Sequence, residues 1–283
     1  MLEQLRQRLQ ALQKTAGIAD GPGVLPLGIA AIDAALGGGL ARGALHEIAA
    51  ASEAQLAAAT GFALGLAARS QTHTCWIAEG MALAESGAPY GPGLDAFGLA
   101  PERLLTVSAA RRGDLLWAME EALRCRAVGA VIGELRDSAI ITVALRRLAL
   151  AAAESGALAL LLRARPASEA STAATRWIVG AASSVIPGRR HKRGYARLRR
   201  AMAANPESIT PAAEYGFRAR GLTPASRNDE EIRPRFAVEL VRNRRGPLGA
   251  WILEWSDSDE HFILAHAQPV AAPALDRPHR KVA

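Results

Sequence analysis

Seven cations, Arg189, Arg190, Lys192, Arg193, Arg197, Arg199 and Arg200, stand within 12 residues with no carboxylate among them. Positive charge at that density can neutralise nucleic-acid phosphates, with an affinity that falls as salt rises. Only Tyr195 in the stretch offers a ring on which a base could stack. A solvated loop is the competing reading. Two acids, Glu79 and Glu134, each follow a largely apolar run, 74–78 and 127–133. Acids at the carboxyl ends of parallel strands face the crevice where such sheets bind ligands. They are candidates for a relic metal site, the simpler alternative being solvated acids at strand ends. The six histidines, at 46, 73, 191, 261, 266 and 279, make no paired ligand spacing with Cys75 or Cys125, so no metal centre is expected. A G-x-S-x-G nucleophile turn is absent.

The elements that must position these residues begin with a stripe. Leu2, Leu5, Leu9 and Leu12 are spaced 3-4-3, which puts them on one face of a helix. A helix of about 13 residues is marginal alone, so the stripe must dock, on its own domain or on a partner. A Gly/Pro linker follows over 17–28. A short helix over 29–36 ends at Gly37-Gly38-Gly39, and apolar strands at 45–49, 74–79, 104–107, 128–132, 157–162 and 176–182 alternate with helices at 53–69, 114–126 and 138–154. Alternation of this kind specifies a parallel sheet with helices on both faces, and the continuously apolar strands fit burial on both sides. The region 187–234 breaks the pattern as a basic, partly disordered insert. Strands at 236–241, 248–255 and 262–265, joined by short turns, then add an antiparallel extension. Trp251 and Trp255 fall on one face of the middle strand. The expected organisation is therefore an N-terminal amphipathic helix (1–16), linker (17–28), α/β core (29–186), inserted loop (187–234), C-terminal strands completing the sheet (235–267) and a flexible tail (268–283).

Composition narrows the function. The 283 residues carry a formal net charge of +7, half are hydrophobic, and arginine outnumbers lysine 31 to 3. That much apolar content excludes a wholly disordered chain. Two cysteines exclude a disulfide-built scaffold. The first residues lack the apolar stretch of a signal peptide. The longest apolar candidate for a membrane span, 139–153, carries Arg146 and Arg147 in its middle. A soluble, cytoplasmic protein without a membrane partner is expected.

The segment Ile32-Asp-Ala-Ala-Leu-Gly-Gly-Gly-Leu-Ala-Arg-Gly-Ala-Leu-His-Glu-Ile48 resembles the entry to a RecA-like core. In that family a short helix, a Gly-rich turn and a strand lead into a phosphate loop, G-x-x-x-x-G-K-[ST], whose glycines admit phosphate to the backbone and whose Lys and hydroxyl hold phosphate and magnesium. The matching window here has Ala50 and Gln55 for the glycines, Leu56 for the Lys and Ala57 for the hydroxyl, with Glu53 adding a charge that repels phosphate. No lysine occurs between Lys14 and Lys192. Arg42 precedes the strand, and Arg69 lies 13 residues beyond Leu56, roughly 20 Å along a helix. The loop is degenerate, and ATPase chemistry and a nucleotide cofactor are not expected. The RecA resemblance places a water-activating glutamate at Glu79. The stretches matching its DNA-gripping loops, 135–138 and 165–174, are too short for strand exchange.

Taken with the degenerate loop, Trp76-Ile-Ala-Glu79, Val238-Glu-Leu-Val-Arg-Asn-Arg-Arg-Gly246 and Trp251-Ile-Leu-Glu-Trp255, the chain resembles the ImuA family, RecA-like accessory proteins of damage-inducible mutagenesis related to SulA. The resemblance implies a role in translesion DNA synthesis (part of the SOS response) beside ImuB, an inactive Y-family polymerase homologue, and an error-prone polymerase, with association with the nucleoid when active. The reading it favours is a non-catalytic adaptor that docks through Leu2, Leu5, Leu9 and Leu12, with self-association and weak DNA binding as further partners. The alternatives are an ATP-dependent DNA-binding protein and a SulA-like division inhibitor.

Overall fold

The computed structural model of the chain describes residues 4, 7, 23–136, 142–167, 169, 171–182, 233–256 and 258–265. The chain divides into two units, Met1–Ala182 with Pro234–Ala283, and Ser183–Arg233. Of the second unit only Arg233 is among the described residues.

In the first unit nine strands form one sheet: β3 (Ala44–Ala50), β4 (His73–Glu79), β5 (Leu104–Ala109), β6 (Val128–Leu135), β7 (Leu158–Arg163), β8 (Thr175–Ala181), β9 (Arg235–Asn243), β10 (Gly249–Ser256) and β11 (His261–Leu264). Their order is β11-β10-β9-β8-β3-β7-β6-β4-β5. The strands from β8 to β5 in that order run parallel, and β9, β10 and β11 continue the sheet antiparallel. Two short strands, β1 (Val24–Leu25) and β2 (Leu40–Ala41), pair separately. Residues 23–28, read as linker from their Gly and Pro content, instead deliver Leu25 and Leu27 to the core, 6% and 0% exposed. Burying two leucines outweighs the turn signal around them.

The helices are α1 (Ala30–Ala35), α2 (Leu56–Ala68), α3 (Gly80–Ser86), α4 (Gly91–Asp95), α5 (Arg112–Leu123) and α6 (Thr142–Ser155). Successive strand residues point to opposite faces, and the two faces are covered differently. Ile48, Trp76, Ile132, Leu160 and Trp177 pack beneath α2 in one cluster. Cys75, Ile77, Val131 and Leu161 pack with residues of α5 and α6 in the other. Helix α2 is apolar all round because it is buried from Gly61 onward. Phe62 stacks obliquely between Trp177 and Phe262, at 5.6 and 5.3 Å. Gly65 lets the helix approach that aromatic layer, since a β-carbon there would lie 2.5 Å from the Phe262 ring and 2.8 Å from Trp255. The expected face-sharing of Trp251 and Trp255 takes this form: Trp255 is fully buried, and Trp251 packs partly buried against the same cluster. Burial pushes the Cys75 thiol up to about 12, with the Cys125 sulfur as the lesser cause. It stays neutral and serves as packing.

The connection from β7 to β8 is unusual. Parallel strands are normally joined through a helix, whereas the described residues between these two, 164–167, 169 and 171–174, are in neither helix nor strand and pass β3, which lies between β7 and β8. Glu47 of β3, 1% exposed, anchors it. One carboxylate oxygen accepts from Ser171 Oγ and the other from Arg176 Nε at 2.9 Å, and the Arg163 guanidinium stands 3.7 Å away. Arg176 donates onward to the carbonyls of Ala167 and Glu169 at 2.9 and 3.0 Å, and Arg163 pairs with Glu169 at 2.8 Å. Two acids and two arginines thus balance in one network, in which the partly exposed Arg176 and Glu169 let the fully buried Glu47 and Arg163 leave water.

Candidate functional site

Strand β3 ends at Ala50, fully buried between β7 and β8. The chain leaves it through Ala51, whose N–H donates to the Val179 carbonyl at 2.8 Å. A single 3₁₀ turn, Glu53–Gln55, then leads into α2 at Leu56. The reading of one helix over 53–69 is thus refined, because three residues of tighter winding precede α2. Of the four degenerate positions, Ala50 is packed in the core, and Gln55 turns toward β8, where its Oε1 would sit 2.5 Å from a β-carbon on Gly180. Leu56 and Ala57 face a cleft of about 440 Å³ between α2 and the α3–α4 segment, with Trp76, Leu94, Phe97 and Tyr90 among its walls.

Charge arrives at this cleft from strands distant in sequence. Arg165, just past β7, pairs with Glu53 at 2.5 Å. Hydrogen bonding and attraction from Arg165 hold the Glu53 carboxyl below its ordinary range. Arg136, just past β6, donates to Glu134 at 3.0 Å and to Ser86 Oγ, and lies 3.9 Å from Glu85. Local sequence offered only Arg42 and Arg69 as stand-in cations, and both lie away from the site. Arg136 and Arg165 were missed because no spacing along one element announces them. The available signal was that each closely follows the carboxyl end of an apolar parallel strand. Both arginines already have carboxylate partners. Trp76 Nε1, on the cleft wall, is buried with no hydrogen-bond partner among the described residues.

The two acids singled out from the sequence do not converge. Glu134 stands in register beside Ala78, shares the α2 face with Ala130 and Ile132, and is 8% exposed. Glu79, one residue beyond Ala78, shares its strand face with Cys75 and Ile77 on the α5 side. Among the described residues no group of three His, Cys, Asp or Glu side chains is placed to hold a metal. No described helix is long and apolar enough to cross a membrane. Leu2, Leu5, Leu9 and Leu12, and the cations Arg189, Arg190, Lys192, Arg193, Arg197, Arg199 and Arg200, lie outside the described residues.

His46 is the buried titratable group near the strand's start. Its Nδ1 lies 2.8 Å from Thr175 Oγ1, and its Nε2 lies 2.8 Å from the Ala41 carbonyl. A carbonyl can only accept, so Nε2 carries the proton and Nδ1 accepts from the Thr175 hydroxyl. That hydroxyl in turn accepts from Trp177 Nε1 at 2.8 Å. The chain of donors closes with a neutral imidazole, and burial lowers the His46 pKa to about 4.

No family model matches the chain. It is 30% identical over 241 residues to Protein ImuA of Caulobacter vibrioides, in strain NA1000 / CB15N and equally in strain ATCC 19089 / CIP 103742 / CB 15, covering 82% of this chain and 83% of the relative. The chain belongs to the ImuA family. Among solved structures it is similar to the RadB recombinase, with a TM-score of 0.50 at 12% identity over 86% of this chain and 100% of the other. That likeness concerns the fold, and the ImuA-family core described here is RecA-like.

Proposed function

We propose that this ImuA-family chain is a non-catalytic adaptor in damage-induced, error-prone translesion synthesis, bridging an ImuB-type polymerase homologue and an error-prone polymerase. One observation carries the reading. Where a RecA-like ATPase needs Gly, Gly, Lys and a hydroxyl, this turn has Ala50, Gln55, Leu56 and Ala57, and the nearest arginines are already neutralised by Glu53 and Glu134. Among the described residues a triphosphate there would meet two carboxylates and no uncommitted cation, and leaving such charge uncompensated costs several kcal/mol per ion. On this reading Glu79 and Glu134 are relics, and the body is a scaffold. Leu2, Leu5, Leu9 and Leu12 dock the partner, and the cations from Arg189 to Arg200 supply weak DNA contact. The insert 187–234 and the tail 268–283 are appendages.

Damage-induced mutation frequency in a deletion strain tests the role. It should fall without the gene and return with it. Co-purification with the ImuB partner tests the docking stripe: Leu5→Glu/Leu9→Glu should abolish it while the protein remains folded. Calorimetry with ATP and magnesium should show no heat of binding, and micromolar affinity would overturn the non-catalytic reading.

A further inference from the structure

The amino ends of the parallel strands carry a surface that the adaptor reading does not use. Arg42 stands two residues before β3, and Arg126 two residues before β6. Strand β9 runs the other way, so its far end reaches the same edge, with Arg242 opposite Arg176 and Asn243 opposite Thr175. The β9–β10 turn adds Arg244 and Arg245, both exposed. Tertiary hydrogen bonds fix this turn. Asn243 Nδ2 donates to the Ala35 carbonyl at 2.8 Å and to Pro247 at 3.0 Å, the Arg244 N–H donates to Ala174 at 3.0 Å, and Arg242 Nε donates to Ala173 at 3.3 Å. Ala174 donates in turn to Leu45 of β3 at 2.8 Å. Arg245 lies against Gly37 of the Gly37-Gly38-Gly39 turn, all three with positive φ. Bare backbone beside an arginine lets a bulky anion approach closely.

None of Arg42, Arg126, Arg242, Arg244 and Arg245 forms an ion pair among the described residues. The segments 36–45, 173–175 and 242–249 contain no acid. Asp33, the acid of α1, spends both oxygens on the N–H groups of Leu27 and Gly28, at 2.7 and 2.9 Å. The other carboxylates near this edge are Glu154, in the last turn of α6, Glu120 and Glu121, which pair with Arg124, and Glu47, which pairs with Arg176. From β9 to β6 is four strand spacings, about 20 Å. Unpaired arginines in an acid-poor row of that length match a phosphodiester backbone better than a single small anion.

We propose that this amino-end surface binds the phosphate backbone of nucleic acid without reading sequence. It uses none of the residues of the cleft beside Leu56 and none of residues 189–200, and it stands or falls independently of the adaptor role. The test is fluorescence anisotropy of the full-length protein with labelled single-stranded and duplex DNA of mixed sequence, from 50 to 300 mM salt. Arg42→Ala/Arg244→Ala/Arg245→Ala should weaken single-strand binding about tenfold or more at 0.1 M salt and flatten the log–log salt slope by about 2. Replacing the same three with Lys should keep most of the binding. Arg111→Ala/Arg146→Ala/Arg147→Ala removes equal charge elsewhere, two of the three from ion pairs with Asp114 and Glu120, and, with circular dichroism showing it folded, should bind like the unaltered protein. Absence of DNA binding by the unaltered protein, or equal loss in both Ala triples, would overturn the proposal. So would unchanged DNA affinity in the first triple, whether accompanied by lost self-association or by lost binding to phosphatidylserine vesicles.

Discussion

The two ends of the parallel strands differ in how many of their arginines are left without a carboxylate. At the carboxyl end Arg111, Arg136, Arg163, Arg165 and Arg235 each meet a carboxylate. At the amino end Arg124 and Arg176 are paired, with Glu120, Glu121 and Glu47, but Arg42, Arg126, Arg242, Arg244 and Arg245 meet no carboxylate among the described residues. A paired arginine is structural first, since removing it strands an acid. An unpaired one adds repulsion to a chain already at +7 and contributes little to stability. Among the described residues the arginines at the carboxyl end are thus committed to acids, and five at the amino end are not.

The sharpest way to break this contrast is the buried anchor. Glu47→Ala strands Arg163 and Arg176 beneath the 164–174 crossover and should destabilise the protein by about 3–5 kcal/mol. Urea denaturation measures it. A loss within 1 kcal/mol would mean that the network does not hold the crossover. The second effect is acid sensitivity. The folded His46 pKa of about 4 lies below its unfolded value of 6.5. The unfolded chain therefore takes up a proton that the folded protein refuses. Stability from this group is full above pH 6.5 and is lost as pH falls toward 4, by about 3 kcal/mol at most. Denaturation at pH 7 and pH 4.5 should show this, and His46→Gln should shrink the difference. An equal pH dependence in both proteins would show that His46 is not the cause.

Legibility from sequence followed the range of the interactions involved. The alternation of apolar strands and helices was readable because each element carries its own periodicity, and the antiparallel extension was readable from its short turns. The phosphate-loop positions were readable because that motif is contiguous. Glu47, Arg163 and Arg176 were not singled out, because a buried charge looks like any other until its partner is known, and Glu47 and Arg176 are 129 residues apart. Arg136 and Arg165 were missed for the same reason. The short strand at Val24 was hidden by its Gly/Pro surroundings, and only its contact with Leu40 and Ala41 gives it a structure.

Smaller effects refine the comparison further. The amino-end triple Arg42→Ala/Arg244→Ala/Arg245→Ala should leave unfolding stability within about 0.5 kcal/mol of the unaltered protein, as expected for surface side chains without partners. A larger loss would mean that these guanidiniums are structural after all, and the two ends would no longer differ in kind. The smallest effect concerns a single proton. Arg165→Ala frees Glu53 from the cation that lowers its pKa, so the carboxyl should titrate at higher pH, back toward its ordinary range. Carboxyl-detected NMR through an acid titration measures the shift directly. An unmoved Glu53 would show that the pair at the turn does not persist in solution. The cleft beside Leu56 would then hold an uncommitted arginine, and its closure to anions would rest on Arg136 and Glu134 alone.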